Sequence, residues 1–210
     1  MEVILIEQPF QTGTAMTQTI SINPELLIGR GRDRACYRHP DDPDFCIKVG
    51  TKPEKQTRRE KRYFLYLLRK GVDMRFIAPY MGDIKTSHGT GALFPLIHDD
   101  NGEVSLTLTQ TIKANQIDRG TLNRKLDQLY RYLVDNHICT RDVSPNNIMV
   151  RRRAGQIDFI LIDGVSRPNL NPLSIRLPAL AKRSVDKCWV NLMQKVNKLT
   201  TATVVPLHAA

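Results

Sequence analysis

The stretch that decides the fold is Thr140-Arg-Asp-Val-Ser-Pro-Asn-Asn147, a loop between a predicted helix and a tight predicted hairpin. It places Asp142 and Asn147 five residues apart, and the hairpin that follows ends at Asp163. A carboxylate at the end of a buried strand needs a partner, because an unpaired buried charge is costly. Two carboxylates and an amide oxygen together suit Mg²⁺ beside phosphate oxygens. The simpler interpretation is that Asp142 and Asn147 only shape the turn.

Three features upstream of this loop are weak when each is taken alone. Gly29 and Gly31 form a bend between two predicted strands, which lets backbone N–H groups approach a phosphate or makes an ordinary turn. The third glycine of a G-x-G-x-x-G pattern is replaced by Arg34. Lys48 lies inside an apolar strand, where it either points to solvent or faces an anion. Glu60 stands among basic residues of a predicted helix, where a surface ion pair is the simpler role.

The order of predicted elements indicates an α+β chain with two lobes. An antiparallel meander near residues 26–49 precedes a helix from Pro53 to Lys70. Residues 91–97 and 104–110 flank Asp-Asp-Asn-Gly and predict a hairpin. The remaining predicted elements are a helix over 121–136, a hairpin over 148–152 and 157–162, and a last helix from about 179 to 199. We expect an N-lobe over 1–110 and a C-lobe over 111–210.

The composition is that of a soluble globular chain, with 41% hydrophobic and 25% charged residues in 210. A net charge of +10 favours an anionic partner but does not say which. The four cysteines have no metal-ligand spacing, so reduced thiols are expected. The N-terminal segment lacks a basic region before its apolar run, and no window is apolar enough to span a membrane. We therefore expect a cytoplasmic protein.

The basic residues of the last helix leave two interpretations open. Its apolar positions share one side, which favours core packing, while peripheral docking on an anionic membrane is the alternative. Residues 151–153 are all arginine beside a hairpin turn and indicate a solvated strand edge. No pattern of aromatic residues accompanies the positive charge, so nucleic acid is disfavoured as a partner.

The order of these motifs resembles the protein-kinase signature set: Gly29-x-Gly31, Lys48, Glu60, Arg141-Asp142-x-x-x-x-Asn147 and Asp163. More narrowly, the chain resembles the PhoP regulatory network protein YrbL family. The stretches that carry this likeness are Cys36-Tyr-x-His-Pro40, Cys46-Ile-Lys48, Arg58-Arg-Glu60, Ser105-Leu-Thr-Leu-Thr109 and Pro145-x-Asn-Ile148. The resemblance implies a two-lobed protein-kinase-like fold. Its N-lobe would be a small antiparallel sheet, and its C-lobe would be mainly helical and shortened, because only 47 residues follow Asp163.

The resemblance also implies roles for single residues. Lys48 would contact the α- and β-phosphates of ATP, oriented by an ion pair with Glu60. Asp142 would accept the proton of the attacking hydroxyl or orient that hydroxyl. Asn147 and Asp163 would hold Mg²⁺ on the phosphates. These few groups suffice because phosphoryl transfer depends mainly on positioning and charge neutralisation.

The same resemblance predicts where the nucleotide would lie. Gly29 and Gly31 would border its phosphates, and the strand ending near Gln110 would be the hinge that hydrogen-bonds adenine through its backbone. The expected function is Mg²⁺-ATP-dependent phosphotransfer to a hydroxyl of a protein or small molecule, in a bacterial regulatory network. The alternative is a pseudokinase-like regulator that binds a nucleotide or a partner without turnover. That alternative is favoured by Thr140 before Arg-Asp and by Gly164 after Asp163.

Overall fold

A computed structural model describes residues 19–31, 34–50, 55–166 and 178–204. The predicted start of the first helix at Pro53 lies outside these residues, and so does most of the Pro/Asn-rich stretch after Asp163.

The first lobe is built on a five-stranded antiparallel sheet with the strand order β1-β2-β3-β5-β4. Its strands are β1 Leu27–Arg30, β2 Arg34–Arg38, β3 Phe45–Gly50, β4 Gly82–Thr86 and β5 Gly89–Pro95. The first three form the predicted meander. In the register of β2 and β3, Cys36 lies opposite Lys48, so these two side chains share one face of the sheet. Strand β4 has no counterpart among the predicted elements.

Helix α1, Lys55–Arg69, packs against this sheet. Tyr63, Phe64 and Leu67 recur at helical spacing and are buried, and Phe64 meets Phe94 of β5 edge to face at 6.1 Å between ring centroids. Glu60 lies one turn before Phe64, so it points inward as well and is only 4% exposed. The helix therefore brings a carboxylate into the interior.

The second lobe combines a three-stranded antiparallel sheet, in the order β6-β7-β8, with three helices. Ala154 and Gly155 connect β7 to β8 with φ of 50° and 71°, the left-handed backbone that a two-residue hairpin turn requires. This confirms the second predicted hairpin. The elements are β6 Leu106–Thr107, α2 Leu108–Lys113, α3 Arg119–Asp135, β7 Ile148–Arg153, β8 Gln156–Leu161 and α4 Pro178–Val204.

The predicted hairpin of residues 91–97 and 104–110 is confirmed only at its turn, where His98 and Val104 form an antiparallel bridge and Ser105 N–H donates to Ile97 C=O at 2.9 Å. Strand β5 pairs with β3 and β4, whereas β6 pairs with β7 in the other sheet. A capping box ends β6 after two residues: the Thr107 side chain accepts from Gln110 N–H, and the Gln110 side chain accepts from Thr107 N–H. Residues 106 and 107 thus pair with the second sheet, and residues 108–110 begin α2. The chain changes lobe between β5 and β6, and Gln110 lies in a helix.

Helix α4 buries its apolar side against α2 and α3. Val185, Cys188, Leu192 and Val196 are between 0% and 7% exposed, which confirms core packing as the role of that side. Within the described ranges, no helix has the length and apolar character needed to cross a membrane. The chain has the α+β, two-lobed architecture predicted from the sequence, with a sheet-based first lobe and a mainly helical second lobe.

Candidate functional site

A cleft of about 380 Å³ opens between the two lobes. Gly29, Lys48 and Gln110 line it, so the structure brings together three of the four residues predicted to bind the cofactor. Gly31 is not among the lining residues, and its N–H closes the turn between β1 and β2 by donating to Arg34 C=O at 2.8 Å. Most of the wall is apolar, contributed by Ile28, Ala78, Phe94, Leu96, Ile97, Leu106, Met149 and Ile162. We call this space the interlobe cleft.

Lys48 reaches into the interlobe cleft instead of solvent. Its Nζ donates to the Ile162 carbonyl at 2.6 Å and lies 4.2 Å from the centroid of the Phe94 ring. Ile162 immediately precedes Asp163, so the ammonium group crosses from the first lobe to the second. Two of its three N–H donors have no protein acceptor in the described part of the chain.

Arg34, and not Lys48, is the ion-pair partner of Glu60. The Nη1 of Arg34 lies 2.5 Å from Oε2 of Glu60. Lys48 and Glu60 therefore do not form the ion pair that the kinase resemblance implies. The physical reason is that Arg34 projects from β2 toward the buried carboxylate, while Lys48 is engaged by the Ile162 carbonyl.

The same guanidinium also holds Asp163. Its Nη2 lies 2.9 Å from Oδ1 and 3.1 Å from Oδ2 of Asp163, and the Gly164 N–H donates to Oδ1 at 2.7 Å. Burial raises the pKa of Asp163, but the positive charges of Lys48 and Arg34 outweigh it and leave the pKa below its usual range. For Arg34, burial acts to lower the pKa, and the two carboxylates outweigh it and raise the pKa.

The loop that carries Asp142 is tied to the segment after Asp163. Arg141 N–H donates to Gly164 C=O at 2.8 Å, and Thr140 forms a bridge with Val165. A Cβ at Gly164 would lie 1.8 Å from the carbonyl oxygen of Asp142, so the two backbones touch. The predicted catalytic and metal-binding segments are therefore adjacent.

Asp142 opens onto a second cavity, of about 260 Å³, between its loop and α4. We call this the loop–α4 cavity. Three cations line it, Arg141, Lys195 and Lys198, together with the amides of Asn191 and Gln194. Asp142 is exposed, and no ion pair is recorded for it among the described residues.

Asn147 stands between this loop and β8. Its carbonyl accepts from Ile162 N–H at 2.8 Å, which places the residue beside the strand end that leads into Asp163. No described residue hydrogen-bonds its side-chain amide. Among the described residues, nothing therefore competes with a ligand for that amide.

Thr140, the residue found in place of a histidine before Arg-Asp, is 2% exposed and docks helix α4. Its N–H donates to the Ser184 hydroxyl at 3.2 Å, and its own hydroxyl donates to Ser184 C=O at 3.4 Å. The threonine that replaces the histidine of the kinase pattern thus attaches the Asp142 loop to α4.

A family model described as PhoP regulatory network protein YrbL matches residues 20–197. The chain belongs to the PhoP regulatory network protein YrbL family. Proteins named "Uncharacterized protein YrbL" from Escherichia coli (strain K12) and Shigella flexneri are each 33% identical to it over 177 residues. Those alignments cover 81% of this chain and 84% of each relative.

A solved structure that resembles the chain is the pseudokinase domain of BIR2, described as an immune regulator of the RLK/Pelle family. The TM-score is 0.46 at 20% sequence identity. The match covers 70% of this chain and 46% of that one, so this YrbL-family protein spans less than half of the chain it matches there.

Arg34 stands at the carboxylate where Mg²⁺ is predicted. Both carboxylate oxygens of Asp163 accept from Nη2 of Arg34, so a metal ion would compete with that cation for them. Of the two predicted ligands, only Asn147 has a side chain without a protein partner among the described residues.

Two residues that sequence reasoning did not assign to the site are Arg34 and Cys36. The signal for Arg34 was its place at the missing third glycine, but the sequence does not show that its side chain turns inward. Cys36 and Cys46 both line the cleft. The neighbouring Cys46 holds the pKa of Cys36 below its usual range, burial opposes this, and Lys48 and Arg34 add to the lowering. The same contact with Cys36, together with burial, raises the pKa of Cys46.

Proposed function

We propose that the protein is a kinase-like regulator that binds ATP in the interlobe cleft. The observation that supports this most directly is the position of Lys48, whose ammonium lies at the inner end of a mostly apolar cleft. Apolar walls suit a flat base, and a cation with spare donors suits phosphates. A regulatory role without turnover is favoured because Arg34 forms ion pairs with both Glu60 and Asp163, the residues predicted to orient Lys48 and to bind Mg²⁺.

The adenine edge would meet the main chain near Ile97 and not at Gln110. The Gln110 N–H donates to the Thr107 hydroxyl at 3.2 Å, and the Gln110 C=O accepts from Ala114 at 2.9 Å, so both backbone groups are taken. Ile97 lines the cleft, and no described residue accepts from its N–H. A free donor in the connection between the lobes is what a base edge requires.

The proposal is tested by isothermal titration with ATP, comparing the full chain with Lys48→Ala and with a matched control, Lys85→Ala. Lys85 is exposed on β4 of the same sheet and does not line the cleft. Loss of a charge-assisted contact predicts binding to Lys48→Ala that is weaker by about tenfold or more, with the control unchanged. Binding that is equal in all three proteins would refute the proposed site.

A second candidate function is phosphotransfer to a hydroxyl, favoured by the loop–α4 cavity. Asp142 lies there beside Arg141, Lys195 and Lys198, a setting that suits a hydroxyl compound carrying an anionic group. On this candidate, Asp142→Asn abolishes transfer and leaves ATP binding intact. If ATP is not consumed above background with anionic hydroxyl acceptors present, the phosphotransfer candidate is refuted and only the regulatory role remains.

A further inference from the structure

Arg34 joins three elements beside the interlobe cleft. It projects from β2, meets Glu60 of α1 and meets Asp163 just after β8. Its side chain is 13% exposed, and Cys36, two residues along the same face of β2, lines the cleft. The guanidinium is therefore enclosed by protein on the side of the carboxylates, and its strand neighbour faces the space where a nucleotide would lie.

The contacts of Arg34 leave some of its donors unused. A guanidinium carries five N–H groups in a rigid fork. Nη1 donates to Glu60 and Nη2 to the two oxygens of Asp163, so Nε–H and one N–H of Nη1 have no acceptor among the described residues. Lys48 likewise has two N–H groups with no acceptor among the described residues. Arg34 does not itself line the cleft, but it holds Asp163, and the residue before Asp163, Ile162, lines the cleft and accepts from Lys48, so the two cations stand side by side there.

We propose that Arg34 takes the place of a divalent cation, so that the cleft binds a nucleotide through the Arg34 guanidinium and the Lys48 ammonium without metal. This inference rests on the proposed function, since it concerns how the same cleft holds its ligand. A bound cation in such a site neutralises the carboxylate of Asp163 and bridges it to phosphate oxygens. Arg34 already neutralises that carboxylate, and its unused donors are of the kind that bind phosphate.

Glu60 explains why the guanidinium stays in place. This carboxylate is 4% exposed, and Arg34 is its recorded ion-pair partner. A metal ion that displaced Arg34 from Asp163 would draw it away from Glu60 as well, and a buried carboxylate without a partner is strongly destabilising. The two carboxylates therefore hold Arg34 jointly, and a metal competes with both.

The test is ATP affinity, measured by isothermal titration in EDTA and again in excess Mg²⁺. Wild type is compared with Arg34→Gln and with the double variant Arg34→Gln/Glu60→Gln, which also removes the buried Glu60 charge that would otherwise lose its partner and so protects the test if the single variant does not fold. Arg38→Gln, an exposed arginine on the same strand, is the matched control. In wild type and in Arg38→Gln, we expect equal affinity in the two buffers.

In the double variant we expect binding in EDTA to weaken by about tenfold or more, because a charge-assisted contact is lost. Mg²⁺ then restores the binding, because Asp163 is free to take it. If Mg²⁺ strengthens ATP binding to wild type by a similar factor, Arg34 gives way to the metal, and the inference fails while the ATP site stands. If wild type binds no ATP in either buffer, the proposed function fails and takes this inference with it.

Discussion

At the scale of single residues, Gly164 has the least room for a side chain among the described glycines. Its φ is +85°, and an added Cβ would lie 1.8 Å from the Asp142 carbonyl oxygen. We predict that Gly164→Ala lowers the free energy of unfolding by about 3 kcal/mol or more, through a backbone clash added to left-handed strain. The control is Gly155→Ala, with φ of +71° and open space around it, which should cost about 1–2 kcal/mol from strain alone. If urea denaturation gives equal losses of unfolding free energy for the two variants, the Asp142 loop moves aside and the clash adds nothing.

Cys36 offers a second test at the same scale. Its lowered pKa and partial exposure predict that iodoacetamide labels Cys36 before Cys46, whose pKa is raised, because the thiolate is the reactive form. ATP should slow this labelling, since both cysteines line the interlobe cleft. Mass spectrometry of labelled peptides measures both effects, and Cys36→Ser identifies the peptide. Labelling of Cys36 that ATP leaves unchanged would contradict nucleotide binding in this cleft.

At the scale of elements, α4 is fixed to the Asp142 loop through Ser184. Its hydroxyl accepts from the buried Thr140 N–H and donates to Ala181 C=O. We predict that Ser184→Ala lowers the free energy of unfolding by about 1–2 kcal/mol, because a backbone donor loses its acceptor. Hydrogen exchange at Thr140 should quicken as well. Thr201→Ala, on the exposed end of the same helix, should change neither quantity. An unchanged exchange rate at Thr140 would show that α4 does not hold the loop.

The elements that could be predicted from sequence are those whose signals are local. The prediction of the β7–β8 hairpin is confirmed because Ala154-Gly155 forms a two-residue turn that depends on no distant contact. The predicted strand over 104–110 is too long because its apolar and polar residues alternate as in a strand, although Thr107 and Gln110 form a capping box that starts a helix. The contacts of Arg34 lie beyond local reasoning, since its partners Glu60 and Asp163 are 26 and 129 residues away.

At the scale of the whole molecule, the pair of Arg34 and Asp163 ties the first lobe to the second. The pKa of Asp163 lies below its usual range in the fold, so the folded chain binds fewer protons there than the unfolded chain does. The stability from this pair is complete above the ordinary aspartate pKa, about 4, and is lost as the pH falls through the lowered value. The Asp163→Asn variant lacks this stabilisation at every pH, because an amide carries no charge to pair with Arg34.

We therefore predict that wild type is more stable than Asp163→Asn near neutral pH and that the difference shrinks as the pH falls below about 4. Urea denaturation of both proteins across this range measures it. Asp127→Asn is the control, because Asp127 forms only an exposed pair with Arg131 on α3. The gap between wild type and this control should stay small at every pH. A gap between wild type and Asp163→Asn that does not depend on pH would mean that the ionised carboxylate does not hold the lobes together, and Arg34 would then be needed only for Glu60.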